Sequence, residues 1–247
     1  MGLYQTKVIV LRSRNLGEAD RVLVLFSEEI GKFEAVVKGA RRQRSRFVGN
    51  TLPFNYLEGL FFTGKNLDSL SQAELVHSFS PLREDLNKFA YATFWVELVD
   101  GFVPERQEAV EVFRFLLAAF IVLENATEPE IINLAFQVRL LKYLGYQPEL
   151  NCCACCGESP ASKQLFSAEA GGLVCMNCSS QFRDLLPVSS ELLSWFEQLG
   201  ETDLRQVHLL KIQMGNRPKL FALLSSFIEN RLERPLKSRV FLDNLIR

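Results

Sequence analysis

Histidine is nearly absent: the 247 residues contain two, His77 and His208. Neither stands in an H-x-E or H-E-x-x-H setting, which argues against zinc deaminases and zincin proteases. Long apolar runs are missing too. The longest, Phe115 to Leu123, has nine residues. Its helical rise of about 14 Å is half of a hydrocarbon core, so no transmembrane helix is expected. Lys7, Arg12 and Arg14 break up the first apolar stretch, and no secretory signal is expected. The start Met1-Gly2-Leu3-Tyr4-Gln5-Thr6 fits the loose myristoylation pattern, but Tyr4 to Leu11 reads better as a strand that starts a barrel. Gly (14) and Pro (9) are too few for a collagen-like or low-complexity chain, and 48% hydrophobic residues exclude a mostly disordered one. A dominant charge is also lacking, since the net charge is −1. Its distribution is uneven: residues 1–80 carry +3, residues 205–247 carry +6, and the centre is acidic at −10. Such a chain can bind nucleic acid locally while offering another face to proteins.

What is present divides into two patterns. Short β-like runs fill residues 1–80: Tyr4–Arg12, Arg21–Ser27, Lys32–Lys38, Leu52–Thr63 and Leu67–Ser80, separated by Gly- and Asn-containing breaks. Phe33, Ala35 and Val37 alternate with Glu34 and Lys38 in the third. Five short strands without intervening helices suit a small closed barrel, of which the five-stranded OB-fold commonly binds nucleic acid. From Pro81 the period becomes helical. Leu86, Phe89, Ala90, Thr93 and Glu97 share one spacing, and Trp95, Leu98, Val99 and Phe102 widen the apolar side. Phe115–Leu123 is apolar all round, which predicts a helix buried on most sides. Ile131, Leu134, Ala135, Val138 and Leu141 form another stripe, with Gly145 placed as its left-handed cap. Glu191–Leu199 and Lys219–Arg234 also read as helices. The expected class is α+β: an OB-fold barrel over 1–80 and a mainly helical domain over 81–247, with a cysteine-rich insertion at about 150–185.

All six cysteines lie between Cys152 and Cys178. Without a secretory signal they read as metal ligands before disulfides. Two C-x-x-C pairs some 18 or 19 residues apart match a four-cysteine zinc site, each pair forming a knuckle that aims two thiolates at one ion. The first pair has two registers, 152/155 and 153/156. A knuckle needs a residue tolerant of positive φ after its second cysteine, and Gly157 supplies it for 153/156. The chosen ligands are Cys153, Cys156, Cys175 and Cys178. Four thiolates leave no open coordination position, so one structural zinc per chain is expected.

Lys38, Arg41, Arg42, Arg44 and Arg46 place five positive charges, and no negative one, in a single stretch between the third and fourth strands. Guanidinium groups match phosphate oxygens in bidentate geometry. Five neutralised phosphates would give a log–log salt slope of about −3.5 on a single strand. Nearby Phe33, Phe47 and Tyr56 could stack on bases, but with 20 Phe in the chain each is expected in the core. Gly59 to Asn66 comes within one residue of a P-loop; Asn66 replaces the magnesium-binding hydroxyl, and Gly64-Lys65-Asn66 reads as a hairpin turn. No catalytic constellation emerges. Paired carboxylates such as Glu28/Glu29 and Glu84/Asp85 read as surface or helix-start charges.

Four stretches together resemble the bacterial recombination mediator family RecO. They are Val36 to Arg42 with Ser45-Arg46 and Leu52-Pro53-Phe54; Leu144 to Leu150; the two cysteine pairs with Gly157, Gly171 and Gly172; and Pro235 to Arg239 with Phe241-Leu242. Cys152 and Cys155 are extra to that pattern. The resemblance implies an N-terminal OB-fold that binds single- and double-stranded DNA, followed by a helical domain holding zinc. It further implies a non-enzymatic role with RecR in remodelling single-strand-binding protein so that RecA loads, together with strand annealing, in the bacterial cytoplasm at the nucleoid. The basic segment Arg231–Arg239 is expected to continue an amphipathic helix whose apolar side is Phe221, Leu224, Phe227, Ile228 and Leu232. Its basic face would suit DNA or the acidic C-terminal tail of single-strand-binding protein. Two other classes remain: a catalytic zinc enzyme on nucleic acid, disfavoured by the saturated four-cysteine set, and a structural zinc adaptor acting only through proteins, disfavoured by the Arg41–Arg46 loop.

Overall fold

The computed structural model describes residues 2–42, 45–159 and 164–245, the last three by backbone alone. Five strands form a closed barrel in the order β1-β2-β3-β5-β4: β1 (Leu3–Leu16), β2 (Asp20–Ser27), β3 (Gly31–Val37), β4 (Tyr56–Phe62) and β5 (Asp68–His77). The long β1 serves both ends of the barrel. Leu3 to Ile9 pair with β4, and Val8 to Leu16 pair with β2. A bulge between Val10 and Arg12 lets the strand bend between these tasks. Side chains alternate inward as the sequence pattern requires, so that Val8, Val10, Leu23, Leu25, Phe33, Ala35, Val37, Leu57, Phe61 and Leu70 share one core.

Closure is made by a short parallel contact, Ala35 with Asp68 and Val36 with Ser69. Asp68 is fully buried there. Its carboxylate accepts from the Tyr4 hydroxyl, from Arg106 at 2.8 Å and from the Gly64 N–H at 3.0 Å. Burial pushes this carboxyl upward, but the Tyr4, Gly64 and Arg106 donors outweigh burial and hold it below the ordinary aspartate value. The β4–β5 connection is the hairpin expected around Gly64-Lys65-Asn66.

Packing divides the described chain into two compact units, residues 1–125 with 238–247, and residues 126–237. The first adds α1 (Ser80–Glu84), α2 (Leu86–Phe102) and α3 (Val110–Glu124) to the barrel. The Asp85 carboxylate caps α2 by accepting from the N–H groups of Asn87 and Lys88. Phe54, Phe89, Phe120, Phe79 and Trp95 form an edge-to-face and stacked aromatic chain, and Phe26 of β2 meets Phe113 of α3 at 5.5 Å. Because β2 is packed on both faces, its burial is nearly continuous rather than alternating. α3 is buried on most sides, as expected, with one face open: Arg114, Ala118 and Ile121 turn to solvent, and Ile121 is 52% exposed. Leu86, assigned to an apolar stripe, is 60% exposed at the first turn of α2.

The second unit contains α4 (Pro129–Leu144), β6 (Gln164–Ser167), β7 (Gly172–Val174), β8 (Leu186–Val188), α5 (Ser190–Glu201) and α6 (Arg217–Leu232). Gly145 caps α4 at φ 75°, as its position predicts. The basic C-terminal stretch is not one helix. α6 ends where Glu233 takes φ 53°, and Pro235 begins the link to α7 (Lys237–Leu245), since a proline cannot continue the hydrogen-bond ladder. Ser238 then donates its N–H to Glu97 at 2.8 Å. The expected amphipathic helix through Arg231–Arg239 is therefore corrected to two helices, with Leu236 and Leu242 buried. No helix among the described residues is long and apolar enough to cross a membrane.

Asp68→Ala should cost about 2–4 kcal/mol in urea unfolding, because the Tyr4 hydroxyl and Gly64 N–H lose their buried acceptor. The pH dependence has a definite sign. A carboxyl depressed by folding contributes its stability above the ordinary aspartate value and loses it as pH falls through the folded value. The gap between wild type and Asp68→Asn should accordingly narrow between pH 7 and pH 3. A gap independent of pH would remove the ionised Asp68 from this account.

Candidate metal centre and nucleic-acid interface

The cysteine region is organised by a small antiparallel sheet of order β7-β6-β8. Ser167 and Asp184 fix its β6–β7 turn. The Asp184 carboxylate accepts from the Ser167 hydroxyl at 2.6 Å and the Glu169 N–H at 3.0 Å, and the Ala170 N–H donates to Ser167 Oγ. Gly172 allows the 149–158 segment to lie against β7: a Cβ there would sit 2.2 Å from the Glu149 carbonyl oxygen. Glu149 and Leu173, and then Ala154 and Leu173, are joined by backbone hydrogen bonds across that contact.

Both knuckles close by local hydrogen bonds, Gly157 N–H to the Cys153 carbonyl at 2.9 Å and Cys178 N–H to the Cys175 carbonyl at 3.1 Å. Gly157 adopts φ 76°, the conformation that motivated the 153/156 register. The result brings the sulfurs of Cys153, Cys156, Cys175 and Cys178 within 4.8 Å of one another. Cys152 and Cys155 are outside that set. Val174, Phe182 and Leu185 pack beneath it.

The electrostatics suit a cation. Burial pushes the Cys153 thiol up, but N–H groups of Cys175, Cys156 and Cys155 outweigh it and bring it down to about 6. Cys178 is pushed upward, first by its contact with Cys175 and then by burial. One thiolate thus forms readily, whereas crowding opposes ionisation of Cys178 until a positive ion joins the set. Four soft sulfurs with no acidic or histidine member could hold a metal ion in a closed tetrahedral sphere.

The basic stretch belongs to the β3–β4 connection. Lys38, Arg41, Arg42 and Arg46 are exposed, and Arg44 lies outside the described residues. The connection is anchored at both sides, because Ala40 and Phe47 join the barrel core. Arg41 donates to the Gly17 carbonyl at 2.9 Å, and its N–H to Ala19 at 2.9 Å. Arg46 donates to the Ser71 carbonyl and lies 5.1 Å from the Phe47 ring centre. Farther along, Asn55 donates to the Gly49 and Asn50 carbonyls, and Arg83 donates to the Pro53 carbonyl and Asn55. Among the described residues, none of Lys38, Arg41, Arg42 and Arg46 forms an ion pair with a carboxylate; the pairs that do form use other cations. Phe33 and Phe47 are in the core and are not presented for stacking, while Tyr56 is half-buried with its ring 6.2 Å from Phe113. In the basic C-terminal region, by contrast, Arg205 pairs with Asp203, Arg217 with Glu128 and Glu130, and Arg231 lies over Phe227 at 4.7 Å.

Sequence reasoning did not single out Arg83, Arg106 or Asp20, which position these segments. Only Asp20 had a local signal, an acidic residue closing a glycine-containing turn.

Two family models match the chain, Recombination protein O N terminal over residues 1–79 and Recombination protein O C terminal over residues 83–240. The chain is 39% identical over 249 residues to the DNA repair protein RecO of Symbiobacterium thermophilum, covering 99% of this chain and 98% of that protein. It is 34% identical over 246 residues to the DNA repair protein RecO of Desulforamulus reducens, covering 99% and 96%. Similarity to the DNA repair protein RecO of a Thermoanaerobacter species is 31% over 246 residues, covering 99% of each.

Titration of the reduced, metal-stripped chain with cobalt(II) should give one tetrahedral thiolate absorption band per chain. Cys156→Ser should weaken it severely and Cys152→Ser should leave it intact. A band lost in Cys152→Ser but kept in Cys153→Ser would show that the alternative knuckle register binds the ion.

Proposed function

The chain belongs to the RecO family of recombination proteins, and from that premise we propose that it is a non-enzymatic DNA-binding mediator of recombinational repair. The family makes it a DNA repair and recombination protein. On our reading it binds single- and double-stranded DNA, anneals complementary strands and acts with RecR to help RecA load onto DNA coated by single-strand-binding protein. Its place of action is the bacterial cytoplasm, at the nucleoid. The observation that carries the DNA-binding part is the exposed cationic loop, fastened to the barrel through Ala40, Phe47 and Arg41, while among the described residues Lys38, Arg41, Arg42 and Arg46 stay unpaired with carboxylates.

The barrel is the OB-fold of this reading, supported by its closed order β1-β2-β3-β5-β4. Lys38, Arg41, Arg42, Arg44 and Arg46 contact phosphates. Anchoring the loop backbone lowers the ordering cost when the guanidinium groups engage, and phosphate contacts leave binding nearly independent of sequence. The same charge screening brings two complementary polyanions together during annealing. Zinc held by Cys153, Cys156, Cys175 and Cys178 supplies structural cross-linking of the insertion rather than chemistry, since four thiolates exclude a reactive water. RecR, and the acidic tail of single-strand-binding protein, are protein partners on this reading.

Replacing Arg41 and Arg42 by Ala removes about two counterion-releasing contacts. The slope of log K against log salt for single-stranded DNA should become shallower by roughly 1.4, with unchanged thermal stability and slower annealing. Anisotropy titrations at several salt concentrations measure it. An unchanged slope would transfer binding to the basic region 205–247, and no DNA binding by the wild type would favour an adaptor acting only through proteins.

A further inference from the structure

Asp20 places an acidic residue against the cationic loop, where simple charge arithmetic would count it as repelling DNA. Its geometry gives it a different use. β3 leaves the barrel at Val37, which pairs with Arg21, so the chain turns away directly beside Asp20 at the start of β2. The Gly39 N–H donates to the Asp20 carboxylate at 2.7 Å. Gly39 has φ 68°, a left-handed conformation that few other residues adopt cheaply. The next contacts follow in order: Arg41 donates its N–H to Ala19 and its guanidinium to Gly17, and the Arg42 N–H closes a turn on the Gly39 carbonyl at 3.1 Å. Gly17 itself takes φ 58° at the tip of the β1–β2 turn. Three consecutive anchors thus seat residues 39–42 on residues 17–20, and the Asp20 bond is the one made by a side-chain acceptor.

We propose that Asp20 is a positioning residue for nucleic-acid binding: by holding the Gly39 amide it fixes the β1–β2 turn as a template on which Arg41 and Arg42 are displayed together. This rests on the DNA-binding reading of the loop. The β1–β2 turn is then part of the binding apparatus without supplying any cation to it. Glu18, exposed on the same turn, is the natural contrast, an acid of the same charge that makes no hydrogen bond to the loop among the described residues.

The two uses of an acid predict opposite signs. If Asp20 acted only through its charge, its removal would strengthen binding to a polyanion. As a positioning group, Asp20→Ala should weaken binding to single-stranded oligo-dT on the order of fivefold, the value of about one hydrogen bond. Asp20→Asn keeps an acceptor for the Gly39 N–H and should restore affinity to the wild-type level or above, while Glu18→Ala should leave it equal or tighter. Amide hydrogen exchange of the free full-length variants supplies a readout without DNA: Gly39 and Arg41 should lose protection in Asp20→Ala and keep it in Asp20→Asn, with the barrel strands unchanged. Tighter binding by Asp20→Ala, or equal weakening by Asp20→Asn, would overturn the proposal. Loosened amides in Asp20→Ala with unchanged DNA affinity would overturn it too, and if the Arg41/Arg42 variant also kept its affinity the fault would lie in the DNA-binding reading.

Discussion

The barrel closes through a parallel seam of two residue pairs, and the Asp68 carboxylate at that seam gathers Tyr4 from β1, Gly64 from the β4–β5 turn and Arg106 from the segment before α3. A seam so short provides few backbone hydrogen bonds of its own. The buried acid compensates by tying three other parts of the chain to the start of β5. A buried charge is tolerable only when its donors are complete, so Tyr4 and Arg106 are fixed in place by the same requirement. The seam lies at the end of β3, and the loop that leaves β3 just beyond it is the one that carries the arginines.

That loop is long but not loose. Ala40 and Phe47 set its first half in the barrel core, its first turn rests on the β1–β2 hairpin, and Asn55 and Arg83 fasten its return to β4. Apolar anchors and backbone carbonyls do this work, so that among the described residues Lys38, Arg41, Arg42 and Arg46 are left without acidic partners. In the second unit a similar economy governs the cysteines. Gly172, Ser167 and Asp184 position two knuckles by hydrogen bonding and close approach, leaving the four sulfurs to face one another.

Much of this was legible in the residues. Alternation in β3, the nine-residue apolar run of α3, the cap at Gly145 and the positive φ at Gly157 each express a local rule, and each is found in the structure. What was not legible depends on contacts distant in sequence. Asp68 looks like an ordinary strand-end residue until Tyr4 and Arg106, 64 and 38 positions away, converge on it. The exposed face of α3 and the exposed Leu86 depended on which neighbours arrived, which a periodicity cannot tell. The C-terminal basic stretch departs from one helix for a local reason: Glu233 takes a left-handed conformation and Pro235 breaks the ladder after α6.

The central claim is that nucleic acid meets this chain at the loop seated on the barrel. Hydrogen–deuterium exchange of the full chain with and without saturating single-stranded oligo-dT tests it most directly. The account predicts new protection concentrated in residues 38–53 and in the β1–β2 turn at 17–20. Protection confined to residues 205–245, with the loop unchanged, would contradict it.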